Sequence, residues 1–84
     1  MSYALKWHPI AYKTLTKLPK DIIQRVINKF DNVVVEPFRY LEHFEGSRLY
    51  KLRIGDYRAL IEVDLNNQLL LVKVFDHRSR VYKK

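Results

Sequence analysis

The sequence predicts an α+β fold of order β-α-α-β-β-β, an antiparallel sheet packed on one face by an N-terminal helical hairpin. Three observations carry this. Apolar residues recur at helical spacing from Ala11 to Val34. From Arg48 onward they alternate with polar ones, the period of a strand. Gly55-Asp56 then stands between two alternating runs, where a two-residue hairpin turn belongs. With 84 residues the chain is read as a single domain, residues 1–84. A chain this short buries only roughly 60–65 % of its unfolded surface, so its core is small.

Each element has a local reason. Tyr3, Leu5 and Trp7 alternate with smaller or polar residues and predict a short first strand. Pro9 suits a first helical turn, where its missing N–H is not needed. Ala11, Tyr12, Leu15 and Leu18 continue that helix, and Pro19 ends it. Asp21 favours a new helix start by meeting the positive end of its dipole. Ile22, Ile23, Val26, Ile27, Phe30, Val33 and Val34 supply its apolar stripe, and Pro37 stops it. The tight joint at Pro19 makes the two helices an antiparallel hairpin. Residues 36–47 read as a loop with one helical turn around Leu41 and Phe44. Strands are expected at about 48–54, 57–64 and 68–75, with the second turn around Asn66-Asn67.

Composition narrows the function classes. The chain carries 16 Lys+Arg against 9 Asp+Glu, a net charge of +7, so its expected partner is anionic. A hydrophobic content of 48 % and an aromatic content of 13 % argue against disorder. There are no cysteines, which excludes disulfides and thiolate metal sites. The longest uninterrupted apolar run is Leu69–Val72, far below the ~20 residues of a membrane span. The expectation is a small cytoplasmic domain with no membrane association.

The basic excess is uneven. Residues 1–45 carry 7 basic and 5 acidic side chains, whereas residues 46–84 carry 9 and 4. A two-residue turn at Gly55-Asp56 opposes Ile54 to Tyr57, Arg53 to Arg58, Leu52 to Ala59, Lys51 to Leu60 and Tyr50 to Ile61. One face then holds Tyr50, Leu52, Ile54, Tyr57, Ala59, Ile61 and Val63, and covers the helices. The other holds Lys51, Arg53 and Arg58 with Leu49, Leu60 and Glu62, and a turn at Asn66-Asn67 brings Lys73 opposite Leu60. Arg53 facing Arg58 costs ~0.2–1 kcal/mol as a like-charged pair. A surface selected only for stability places a carboxylate there. The functional reading is a phosphate-receiving cluster; the plain one is a solvated basic face partly neutralised by Glu62 and Asp76.

The C-terminal run His77-Arg78-Ser79-Arg80-Val81-Tyr82-Lys83-Lys84 adds cations and a ring beside this cluster. Cations that meet phosphates and rings that stack on bases suit single-stranded RNA. The apolar Val81-Tyr82 pair argues against a frayed tail. No Gly-rich phosphate loop, HExxH, metal-ligand cluster or catalytic triad spacing is present, so no metal or cofactor is expected. His8 reads as structural, His43 as exposed, and His77 alone lies beside the cluster. RNA supplies its own nucleophile, the 2′-OH, and its cleavage needs mainly positioning and stabilisation of a negatively charged phosphorane.

The run Leu49-Tyr50-Lys51-Leu52-Arg53-Ile54-Gly55-Asp56-Tyr57-Arg58 resembles the YKLRxGdYR signature of the RelE/ParE toxin superfamily. The ending His77-Arg78-Ser79-Arg80-Val81-Tyr82 resembles its HRxxVY terminus. The two motifs, their separation and the element order extend the resemblance over essentially the whole chain, with the RelE branch most similar. It implies a RelE-like, microbial-RNase-like fold. The implied activity is that of a toxin which cleaves mRNA in the ribosomal A site without a metal, leaving a 2′,3′-cyclic phosphate. The implied partners are the ribosome, mRNA and a small, acidic, partly disordered antitoxin.

By the same resemblance, Lys51 activates the 2′-OH or holds phosphate, Arg58 stabilises the phosphorane, Arg78 assists the leaving oxygen and Tyr82 orients a base. Arg53, Lys73, His77, Arg80 and Lys83 are the expected substrate-binding residues. Leu49 stands where some RelE toxins carry a second lysine, so Lys51 in its neutral form and His77 are the two candidate bases. Arginine keeps its proton at any ordinary pH, which assigns Arg58 and Arg78 electrostatic roles. The alternatives are a ParE-like DNA gyrase inhibitor and an inactive RNA-binding relative.

Overall fold

The computed structural model describes residues 2–83, with only the backbone of Lys83. The expected α+β class holds. The elements are β1 (Ala4–Trp7), α1 (Pro9–Thr16), α2 (Lys20–Val33), α3 (Pro37–Tyr40), β2 (Glu42–His43), β3 (Tyr50–Ile54), β4 (Tyr57–Asp64) and β5 (Leu69–His77). A 3₁₀ turn at Val81–Lys83 follows. The sheet order is β1-β5-β4-β3-β2.

Three features depart from the expected pattern. β1 runs parallel to β5, Ala4 to Leu69 through Trp7 to Val72, so the sheet is mixed rather than antiparallel. The helical turn in the 36–47 segment begins at Pro37 and ends before Leu41, because Pro37 sits favourably at a helix start. The chain then extends into β2, which pairs Glu42 with Lys51 and His43 with Tyr50.

The helices form where their punctuation places them. His8 caps α1 through Nδ1, which accepts from the Ile10 amide at 3.2 Å. α2 buries Val26, Phe30 and Val33 against the sheet, whereas Ile27 of the same stripe stays 44 % exposed. The sheet returns Leu52, Ala59, Ile61, Leu70, Val72 and Phe75 to one core, as the alternation requires. Trp7 joins the layers, meeting Phe30 at 5.3 Å and Phe75 at 5.6 Å, both edge to face. Such contacts add ~0.5–1.5 kcal/mol beyond burial.

The β3–β4 hairpin has the expected register at all its pairs, including Arg53 against Arg58. Gly55 takes φ +58° at the first turn position, the type II′ pattern. The β4–β5 pairing starts in the expected register, Asp64 to Leu69 through Ile61 to Val72, then slips by one at Leu60/Ile61. Val74, not Lys73, therefore opposes Leu60, and Lys73 is the extra residue of a β-bulge.

Candidate functional site

The bulge decides what surrounds Arg58. Beyond it Arg58 pairs with Asp76, Ala59 with Phe75 and Tyr57 with His77. Phe75 thereby turns inward, 1 % exposed and stacked on Tyr57 at 5.6 Å. Asp76 turns outward, onto the face of Arg53 and Arg58, yet it is only 6 % exposed. Arg58 thus stands between a like charge on β3 and a carboxylate on β5. Its Nη1 donates to the carbonyls of Gly55 and Tyr57, both at 2.7 Å, which folds the side chain over the turn.

The C-terminal segment lies across this same face. Asp76 accepts from the His77 amide at 2.7 Å and from Arg80 Nε at 3.2 Å. Arg78 returns to the hairpin tip: its amide donates to the Asp56 carbonyl at 2.8 Å, and its guanidinium lies 3.9 Å from the Asp56 carboxylate. Val81 is 1 % exposed, and outward-facing Leu60 is 6 % exposed, though neither belongs to the main core. Tyr82 is 48 % exposed, and its ring meets Phe44 at 5.3 Å. An apolar anchor at Val81 and the Asp56 and Asp76 carboxylates thus hold the tail over the sheet, as the Val81-Tyr82 pair predicted.

The expected site residues separate. Arg53, Arg58, Arg78 and Arg80 gather around the hairpin tip and Asp76. Lys51 lies two residues along β3, its ammonium 3.3 Å from Glu42. Lys73 does not join the cluster opposite Leu60; the bulge displaces it, and it pairs with Glu62 at 3.7 Å. Asp56 and Glu62, the carboxylates within reach of Arg53 in the sequence pattern, are engaged by Arg78 and Lys73. The side chain of Lys83 lies outside the described residues.

His77 has its own geometry. The Ser79 amide donates to His77 Nδ1 at 3.2 Å, and the Ser79 hydroxyl lies 2.9 Å from it. An accepting Nδ1 leaves the neutral ring's hydrogen on Nε2. Sequence reasoning named Asp76 as a carboxylate that partly neutralises the basic face, and the bulge is what sets it opposite Arg58. It missed Glu42 as the partner of Lys51 and Phe44 as the platform under Tyr82, which only β2 and its loop reveal. Among the described residues, no group of His, Cys, Asp and Glu side chains is placed to hold a metal ion.

The fold recurs in known proteins. The toxin–antitoxin complex RelBE2 of Mycobacterium tuberculosis contains a chain 27 % identical, with a TM-score of 0.82 over 93 % of this chain and 100 % of that one. The archaeal RelE–RelB complex of Pyrococcus horikoshii contains one 29 % identical, with a TM-score of 0.81 over 95 % and 99 %. Toxin RelG of Mycobacterium tuberculosis is 28 % identical over the full length of both chains. The isolated RelE toxin of E. coli, 22 % identical, shares the fold with a TM-score of 0.74. The family model of the ParE toxin of type II toxin–antitoxin systems matches residues 5–82, and the chain belongs to that family, within the RelE/ParE toxin superfamily.

Proposed function

We propose that this toxin is a ribosome-dependent endoribonuclease that cleaves mRNA in the A site. The carrying observation is the direct opposition of Arg53 and Arg58 at the hairpin tip, a like-charged cross-strand pair. The RNA 2′-oxygen attacks the adjacent phosphorus, and the bond from phosphorus to the 5′-oxygen breaks. The products are a 2′,3′-cyclic phosphate and a 5′-hydroxyl. The 2′-oxygen's proton passes to solvent water, and water returns one to the 5′-oxygen, so the proton count is unchanged. Arg58 and Arg53 offset the charge that grows on the phosphorane, Arg78 meets the leaving oxygen, and Tyr82 stacks on a base.

The two candidate bases stand differently. Glu42 lies 3.3 Å from the Lys51 ammonium, which places Lys51 to hold phosphate. Ser79 occupies Nδ1 of His77, so any proton that His77 exchanges with the substrate passes through Nε2. Charge stabilisation and positioning therefore carry the larger share of the rate.

Induction of the wild type and Arg58→Ala side by side tests the reading. Wild type is expected to stop growth and create new mRNA ends in primer extension, and the variant to do neither. Growth arrest with intact mRNA sinks the nuclease. The match to the ParE family model favours one second reading, a DNA gyrase inhibitor. Loss of supercoiling by purified gyrase, with toxicity kept in Arg58→Ala, would establish it.

We also infer an antitoxin partner, small, acidic and partly disordered. The net charge of +7 supports it, as do relatives solved as toxin–antitoxin complexes. Co-purification of an acidic protein encoded beside the toxin is the check. No helix among the described residues is long and apolar enough to cross a membrane.

A further inference from the structure

A second basic hollow lies along β3, away from the hairpin tip. β2 covers only Tyr50 and Lys51, so Leu52–Ile54 has no strand on that side. A cavity of about 200 Å³ opens there, walled by Lys29 of α2, Arg39 and Tyr40 of α3, Glu42 of β2, and Lys51 and Arg53 of β3. Four cations face one carboxylate. The volume far exceeds the ~10–15 Å³ that admits one water, and it has room for a phosphodiester.

Lys51 pairs with Glu42 at 3.3 Å, but two of the cations are gathered on a neutral ring instead. Lys29 Nζ lies 4.7 Å from the Tyr40 ring centroid, and the Arg39 guanidinium lies 5.9 Å from it. A ring face attracts a cation without neutralising it, so the hollow keeps its positive field. Arg39 also lies 3.6 Å from Glu36, but both side chains are about two-thirds exposed, and such a pair is weak.

We propose that this hollow is a second phosphate subsite, which holds the RNA backbone at least one nucleotide from the phosphate at Arg58. Arg53 links the two places: it opposes Arg58 across the hairpin and also lines the hollow. That continuity favours a nucleic-acid strand over an acidic peptide. The inference rests on the RNA reading of the tip and extends it to Lys29, Arg39 and Tyr40.

The test is fluorescence anisotropy of the full chain with a short 2′-O-methyl RNA, which cannot be cleaved, across about 50–200 mM salt. Each phosphate contact to a single strand contributes ~0.7 to the slope of log affinity against log salt, so Lys29→Gln/Arg39→Gln is expected to lower that slope by roughly 1.4. The control, Lys13→Gln/Lys17→Gln, removes the same charge at α1, which packs on β5 at the far side of the sheet. It is expected to shift the slope much less. Equal shifts in the two double variants, an unchanged slope in the first, or absent binding by the wild type would each overturn the subsite. So would a loss confined to binding of an acidic peptide. RNA binding with the expected slopes but no mRNA cleavage sinks the nuclease and leaves the subsite; cleavage with an unchanged slope does the reverse.

Discussion

Asp76 is the strongest place to test how the tail is held. It is the one charged residue buried among those described, and it accepts from the His77 amide and Arg80 Nε. Asp76→Ala removes an acceptor from a charge-assisted amide bond, which costs ~1.5–3 kcal/mol. The Arg80 side chain is 65 % exposed, so its ion pair adds only ~0–1 kcal/mol. The expected loss is about 2–3 kcal/mol, or roughly 10–20 °C in Tm for a domain of this size. Asp76→Asn keeps an oxygen for the His77 amide and loses only the charge, so it should cost about 1 kcal/mol. Urea titration reads both as a lower midpoint with an unchanged m value. A double-mutant cycle with Arg80→Ala should return a coupling of about 0.5–1 kcal/mol. Asp76→Ala within about 0.5 kcal/mol of wild type, or equal to Asp76→Asn, refutes the reasoning.

Other residues give sharper yes-or-no outcomes. Arg53→Glu replaces the like-charged pair opposite Arg58 with an attractive one, so stability should rise by roughly 0.5–1 kcal/mol in urea titration while mRNA cleavage is lost. Gly55→Ala meets no atom within 4 Å, yet it forces φ +58° on a residue with a side chain; a loss of about 1 kcal/mol on melting checks that strain is the cause. Asp64 is held below its ordinary 3.8, first by the Asn67 side-chain hydrogen bond and then by the Asn67 amide. A depressed carboxylate stabilises above its unfolded value and loses that contribution as pH falls through the folded one. Asp64→Asn should therefore lower stability slightly in the neutral region and leave it little changed once pH falls below the folded value, which flattens the acid limb.

Much of this site was legible because a hairpin is local. Gly55-Asp56 fixes the turn, the turn fixes the register, and the alternation of Leu52, Ile54, Ala59 and Ile61 allows only one face inward. The opposition of Arg53 and Arg58 follows without any tertiary knowledge. The bulge at Lys73 has no such signal. Had the β4–β5 register continued unbroken, Phe75 would lie beside Arg58 and Asp76 would enter the core. Burial of Phe75 and the hydrogen bonds that Asp76 finds to the His77 amide and Arg80 decide the slip, and both are tertiary terms. The parallel partner of β1 is equally invisible, since Ala4 and Leu69 are distant in sequence and no turn joins them. Two-residue β2 is too short for periodicity, so the Glu42–Lys51 pair escaped as well.

The carboxylates also divide the cations by how freely they can act. Lys51, Lys73 and Arg78 form pairs at 3.3, 3.7 and 3.9 Å with side chains that are largely exposed on the acidic side. Pairs of this kind are worth ~0–1 kcal/mol, so an incoming phosphate displaces them at little cost. Arg80 differs, because its partner Asp76 has a side chain only 9 % exposed and also holds the backbone. On the proposed RNA reading, a phosphate at the tip meets Arg53 and Arg58 side by side, and Arg58 exchanges its bonds to the Gly55 and Tyr57 carbonyls for bonds to the phosphate. Arg78 leaves Asp56 at the same small cost, and it raises the rate only to the extent that it binds the phosphorane more tightly than the ground-state phosphate.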